Sequence, residues 1–391
     1  MKEIYLDNNA TTKVDEAVFE EMRPYFCDLY GNPSSMHYFG GQVQRKVDEA
    51  RNRVAALLGA LPEEIIFTAC GTESDNAAIR SALEVFPERR HIITTRVEHP
   101  AVLTLCRNLS KRGYRVTELG VDGEGRLDLD ELRSVIDEDT AVVSVMWANN
   151  ETGVIFPVEE ISGIVKEKGK GALFHTDAVQ AVGKIPINMA TSCIDMLSIS
   201  GHKLHAPKGT GVLYLRKGVP FRPFMVGGHQ EHSRRAGTEN TAGIIALGKA
   251  CELAGHWMED ENTRVRALRD RLQAALLDLI PRARINGGEA ERLPNTLSIA
   301  FEFVEGEAIL MLMSEKGICA SSGSACTSGS LEPSHVLRAM GVPFTCAHGS
   351  IRFSLSRFTT DGEIDTIIRE LPPIIRRLRE MSPFGREFLN A

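Results

Sequence analysis

The chain has 391 residues, 43 % of them hydrophobic and 25 % charged, and carries a formal net charge of −7 at neutral pH. This is the composition of a soluble globular protein; no run of 18 apolar residues could span a membrane, and the acidic balance leaves no electrostatic footprint for nucleic acid. The length suits one large and one smaller domain, each with its own core, acting on small molecules or other proteins.

The amino end, MKEIYLDNNATT, has no apolar stretch of signal-peptide length, so a cytoplasmic protein is expected. Eight cysteines, at 27, 70, 106, 193, 251, 319, 326 and 346, include no CxxC pair. That spacing argues against structural zinc and disulfides, and most are expected to pack, reduced, as small hydrophobes.

From about residue 50 to 216, seven apolar runs alternate with amphipathic helical stretches: EIIFTA, HIITT, YRVTEL, AVVSVMWA, GALFHTD, DMLSIS and GVLYL. The alternation predicts βαβ units, hence an α/β fold whose large domain holds a mostly parallel seven-stranded sheet flanked by helices. After a long helical stretch, 248–280, the pattern changes. NTLSIAFE, GICASS and SIRFSLS read as strands of a smaller α+β domain. The large domain is assigned to residues 15–261 and the small one to 1–14 and 262–391.

Parallel sheets place their sites at the carboxyl ends of strands, and the polar residues after these runs are conspicuous. EIIFTA leads into a helix opened by Gly71 and Thr72, a start that attracts an anion such as phosphate; Thr72 as a plain N-cap is the simpler alternative. His99 follows HIITT, Asn149 and Asn150 follow AVVSVMWA, Asp177 and Gln180 follow GALFH, and Ser200, His202 and Lys203 follow DMLSI. Taken singly, His99 and His202 could be satisfied loop histidines and Lys203 a solvated loop lysine. The spacing of His202 and His205 could suggest metal, but no carboxylate or cysteine lies near them in sequence, and no metal is expected. Taken together, a lysine, an aspartate, an imidazole and a phosphate-binding helix start match what pyridoxal phosphate requires.

Two later residues add to this set. Cys326 lies in SSGSACTSGS, whose Ser and Gly content favours a solvent-reachable loop over a core position. Arg352 lies in the strand pattern IRFSLS, where an alternating polar residue usually faces water, yet a guanidinium fork would suit an amino-acid carboxylate.

The stretches YLDNNATT, GNPSSMH, CGTESD, VEHPAVL, WANNETG, FHTDAVQAVGK, SGHKLHAPKG, RRAGTEN, SSGSACTSGSLEPSHV and IRFSLSRFTT cover nearly the whole chain. In that order they resemble the cysteine desulfurases of the class V aminotransferase family, the nitrogen-fixation type in particular. The resemblance implies a fold type I pyridoxal-phosphate enzyme, a homodimer, that converts L-cysteine to L-alanine. The sulfur would pass as a persulfide to an iron–sulfur cluster scaffold protein. Lys203 would form the Schiff base and carry protons, Asp177 would pair with the pyridine nitrogen, Gln180 would bond the ring hydroxyl, and His99 would stack on the ring. Thr72, Ser200 and His202 would hold the phosphate, with Thr238 of RRAGTEN reaching in from a second subunit. Asn150 and Arg352 would clamp the substrate carboxylate, and Cys326 would take the sulfur. A selenocysteine lyase or other β-lyase of the same fold would work without Cys326, an aminotransferase would yield a keto acid, and a scaffold without catalysis would need neither Lys203 nor Asp177.

Overall fold

A computed structural model describes residues 3–322 and 333–382. Strand β1 (Ile4–Tyr5) lies near the amino end. The next seven are β2 (Ile65–Thr68), β3 (His91–Thr95), β4 (Arg115–Leu119), β5 (Thr140–Ser144), β6 (Leu173–Asp177), β7 (Met196–Ser200) and β8 (Gly211–Leu215). They correspond to the seven apolar runs and form one sheet in the order β2-β8-β7-β6-β5-β3-β4. Pairings from β4 through β7 are parallel, whereas β8 runs antiparallel to both β7 and β2. The link explains the exception: only residues 201–210 separate β7 from β8, fewer than the dozen or so that a parallel crossover needs.

Period-2 alternation sends successive side chains to opposite faces. Ile65, Phe67, Phe174, Leu197 and Tyr214 join a core with the helices Tyr38–Leu58 and Thr241–His256. Ile66, Ile92, Leu173, Met196 and Leu213 join another with Gly71–Val85 and Pro100–Ser110. Both faces are thus covered, and the strands inside the sheet read as near-continuous apolar runs. Edge strand β4 is the contrast, with Leu119 alone fully buried.

A third core gathers Leu6, Val265, Leu272, Ile299, Phe301, Ile351, Phe353 and Leu371. It is built on β9 (Ala283–Ile285), β10 (Thr296–Phe301), β11 (Ile318–Cys319) and β12 (Ser350–Ser354). The sheet β12-β10-β9 is antiparallel, and β11 pairs in parallel with β1. Strands β10 and β12 match NTLSIAFE and SIRFSLS; β1 and β9 are too short to leave a pattern. The helical stretch 248–280 is interrupted by a π turn, Glu261–Val265, before the helix Arg266–Leu279.

Candidate active site

The carboxyl ends of β2, β3, β5, β6 and β7 open onto one cavity of about 300 Å³, lined by Gly71, Thr72, His99, Asn150, Asp177, Gln180, Ser200, His202, Lys203 and Arg352. All of the strand-end residues singled out in the sequence are there except Asn149, which is buried and donates to Val97 O instead. The helix Gly71–Val85 starts directly after β2 with Cys70 at its N-cap. Thr72 is therefore a helical residue and not the cap, which corrects the simpler alternative. A Cβ on Gly71 would stand 2.9 Å from Val179 Cγ2 and 3.4 Å from Ser200 Cβ, so glycine lets this helix start approach the ends of β6 and β7. The first-turn amides, lacking intrahelical acceptors, are free to bind an anion.

Lys203 closes the short turn Gly201–Lys203 that follows β7. Its Nζ donates to Asn9 O at 2.7 Å and Ala10 O at 2.5 Å. Burial, with Arg352 and Lys184 nearby, brings the amine down to about 7, against the opposing pull of Asp7 and Asp177. A lysine in that state supplies a free amine near neutrality, which is what a nucleophile needs.

Asp177 ends β6, and its Oδ1 accepts from Val179 N at 2.9 Å. Burial raises its carboxyl, with His99 and Lys203 pulling the other way. His99 caps the helix Pro100–Ser110 by accepting from Ala101 N at Nδ1, 3.2 Å. That bond leaves the proton of the neutral ring on Nε2. Burial pushes His99 below its ordinary range. It pushes His202 down to about 4, with Lys203 and Lys208 adding to the effect.

Two further carboxyls, missed in the sequence, stand close to Asp177. Asp75, from the same helix as Gly71, lines the cavity; its Oδ1 makes no hydrogen bond among the described residues and lies 3.6 Å from His175 Nε2. Burial, then the charge of Asp177, holds it well above the usual carboxylate range. Glu98 accepts from Thr95 Oγ1 and Met146 N, both at 2.9 Å, and burial raises it to about 8. His175 sits between Ser144 Oγ and Ser198 Oγ, each at 2.9 Å, and is pushed down to about 3 by burial. Burial pushes all three carboxyls up, and only Asp177 has Lys203 and His99 pulling the other way.

Arg352 is buried in the middle of β12, contrary to the expectation that an alternating polar residue faces water, because both faces of that strand are covered. Its Nη2 donates to Asp7 Oδ1 at 2.7 Å and its Nη1 to Asn150 O at 2.9 Å. Its Nε has no partner among the described residues, nor does Gln180 Oε1; Gln180 Nε2 donates to Asn9 O at 3.0 Å. Asp7 and Asn9 thus belong to the site, although YLDNNATT was read only as part of a resemblance.

Other expected residues stand apart. Thr238 lines a separate cavity of about 120 Å³ with Glu231, Arg235 and Asn240, so within one chain it does not meet Lys203. Cys326 lies outside the described residues. His202 Nδ1 pairs with Thr11 Oγ1 and His205 Nδ1 with Lys13 O. Of the described cysteines, Cys106, Cys251 and Cys346 are buried, Cys70 and Cys319 half-buried, and Cys27 and Cys193 exposed. Core packing therefore holds for three of these seven and not for most.

An amine near neutrality, a buried carboxyl, a helix start open to an anion and a guanidinium with an unpartnered N–H thus line one cavity. The chain belongs to the class V aminotransferases: the family model, described as Aminotransferase class-V, matches residues 4–367. Among its relatives are a protein described as cysteine desulfurase from Trichormus azollae, 62 % identical over 387 residues, covering 99 % of this chain and 96 % of that one. Another is described as cysteine desulfurase NifS, from Azotobacter vinelandii, 60 % identical over 385 residues and covering 98 % and 95 %. A solved NifS-like protein superposes with a TM-score of 0.90 at 42 % identity, over 96 % of this chain and 100 % of that one.

Proposed function

We propose that the chain is a pyridoxal-phosphate-dependent cysteine desulfurase. It converts L-cysteine to L-alanine and passes the sulfur, as a persulfide on Cys326, to an iron–sulfur cluster scaffold protein. The observation that carries this reading is Lys203: a buried amine brought to about 7 that borders the same cavity as Asp177 and the helix start at Gly71.

Pyridoxal phosphate fits the residues present. The close approach at Gly71 leaves room for a phosphate at the amides of the helix start, beside Thr72, Ser200 and His202. Gln180 Oε1, buried and without a partner among the described residues, suits a ring hydroxyl. Asp177 suits a protonated pyridine nitrogen. When bound, the group supplies an electron sink for the substrate's α-carbon.

The chain's own residues then act as follows. Arg352 Nε, with Asn150 beside it, takes the substrate carboxylate and orients the α-carbon. Lys203 Nζ removes the α-proton and holds it, with the carbonyls of Asn9 and Ala10 steadying the ammonium. His99 would stack on the ring and offer its Nε2–H as a hydrogen-bond donor. Cys326 thiolate forms a sulfur–sulfur bond to the substrate sulfur as the carbon–sulfur bond breaks; the carbon keeps the electron pair, takes a proton and leaves as alanine.

The reading extends to a cytoplasmic homodimer in which Thr238 joins the partner's phosphate site, and to a division into residues 15–261 and the remainder. The name NifS among the relatives supports supply of sulfur to nitrogenase maturation. Incubation with L-cysteine and dithiothreitol tests the activity. The parent is expected to release alanine and sulfide, and Cys326→Ala neither at a comparable rate. Equal alanine and sulfide from both would overturn the desulfurase.

A further inference from the structure

Lys203 and Arg352 are to act on neighbouring atoms of one substrate, its α-carbon and its carboxylate, yet they come from different sheets: Lys203 follows β7, and Arg352 lies on β12. Asn9, which lines the cavity and is 2 % exposed, joins them. Its backbone serves the amine end. Asn9 O accepts from Lys203 Nζ at 2.7 Å and from Gln180 Nε2 at 3.0 Å. Its side chain serves the clamp end: Nδ2 donates at 3.1 Å to Asn150 O, the same carbonyl that takes Arg352 Nη1 at 2.9 Å. A closed ring of hydrogen bonds holds that side chain in place. Asn9 Nδ2 also donates to Thr296 Oγ1 at 2.9 Å, Thr296 Oγ1 donates to Asn295 Oδ1 at 3.1 Å, and Asn295 Nδ2 returns to Asn9 Oδ1 at 3.2 Å. Asn295 and Thr296 are fully buried, so water does not compete for these bonds.

We propose that Asn9 is a positioning residue that fixes the substrate-carboxylate clamp relative to the Lys203 amine. The inference rests on the proposed function, in which Arg352 holds the carboxylate and Lys203 takes the α-proton. In an amino acid those two points are one bond apart, so a shift of either anchor turns the α-hydrogen away from Nζ. A misplacement of about 1 Å can cost roughly a hundredfold in rate. The residue type follows from the same geometry. A short amide offers two donors and an acceptor, which Asn150 O, Thr296 Oγ1 and Asn295 Nδ2 use in full. Aspartate would turn an acceptor toward the Asn150 carbonyl, and serine would have one donor for two acceptors.

L-Alanine, the product, tests both ends without calling on Cys326. Full-length protein loaded with pyridoxal phosphate is titrated with L-alanine by absorbance, and the dissociation constant reads the clamp. Loss of the α-proton signal in deuterium oxide, at saturating L-alanine, reads the amine. In that exchange the α-carbon–hydrogen bond breaks toward Nζ, the carbon keeps the electron pair, Nζ trades its proton with solvent, and a deuteron returns to the carbon. Asn9→Ala should weaken L-alanine about tenfold and slow exchange per loaded site about tenfold. Thr296→Val lies outside the cavity lining, keeps the buried shape and withdraws one acceptor from Asn9 Nδ2. It should move both readings the same way, and Thr296→Ser should restore them, so a misfolded Asn9→Ala leaves the test intact. A purely structural role would lower the fraction loaded, measured as borohydride-trapped adduct on Lys203, and leave both readings per loaded site as in the parent. A change at one end alone, or at neither, overturns the inference. No adduct on Lys203 in the parent would instead remove the proposed function itself.

Discussion

Replacing Gly71 by alanine should weaken binding of pyridoxal phosphate while leaving the protein folded. Alanine is the better helix former by about 1 kcal/mol, and the helix Gly71–Val85 would gain from it. The added Cβ, however, stands 2.9 Å from Val179 Cγ2, and carbon pairs rest at about 3.5 Å or more, so roughly 0.6 Å must be found. Val179 is β-branched and stiff at its first torsion. Overpacking of this kind costs about 1–3 kcal/mol, which leaves a net destabilisation of roughly 1 kcal/mol. The effect on the site is larger than on the fold, because Val179 N is the donor that holds Asp177 Oδ1 at 2.9 Å. Moving Val179 shifts that carboxyl and narrows the helix start together, and affinity should fall about tenfold or more, each decade being about 1.4 kcal/mol. Absorbance titration with pyridoxal phosphate beside urea unfolding reads both quantities. Gly163→Ala is the control: it lies inside the helix Val158–Lys168 with nothing within 4 Å of the new Cβ, and it should gain about 1 kcal/mol. If Gly71→Ala gains stability likewise and binds the cofactor as tightly as the parent, then glycine is not needed there for a close approach.

Stability should fall as pH rises through neutrality because of Glu98. Its folded value of about 8 lies above its ordinary 4.5, so between those two pH values the native state holds a proton that the unfolded chain has lost. Glu98→Gln should flatten this fall, which amounts to at most roughly 3–5 kcal/mol; urea midpoints at pH 5 and 8 that drop equally in parent and variant would exclude it. At Arg352, lysine keeps the charge but loses the fork that meets Asp7, Asn150 and an incoming carboxylate. Arg352→Lys should raise KM for cysteine about tenfold or more, and steady-state kinetics with an unchanged KM would remove the clamp.

The strands and most residues at their ends were legible because each apolar run stops at the sheet's edge, where the polar residues that follow, Asn149 excepted, face the cavity. Asp177, Gln180, Ser200, His202 and Lys203 share that origin, as do Thr72 and His99. What was not legible came by other routes. Asp75 sits mid-helix, where a polar residue normally faces solvent, and its burial depends on β6 and β7 lying underneath. Asn9 and Ala10 act through carbonyls, which carry no side-chain signature. Lys184 and Glu261 are 77 positions apart in the sequence, and only the folded chain shows that both are buried and line one small cavity beside Lys203. The reversal of β8, by contrast, could have been read from the short link after Lys203.

Residues 7–10 couple Lys203 to the antiparallel sheet β12-β10-β9. Asn8 Nδ2 donates to Ser354 O, and Asn9 N donates to Ser354 Oγ, across 346 and 345 positions of chain, while Asp7 meets Arg352. The carbonyls of Asn9 and Ala10 that grip Lys203 Nζ therefore sit on a segment pinned by the strand Ser350–Ser354. Whatever loosens that strand would release both acceptors of the lysine at once, although Lys203 itself follows a strand of the other sheet.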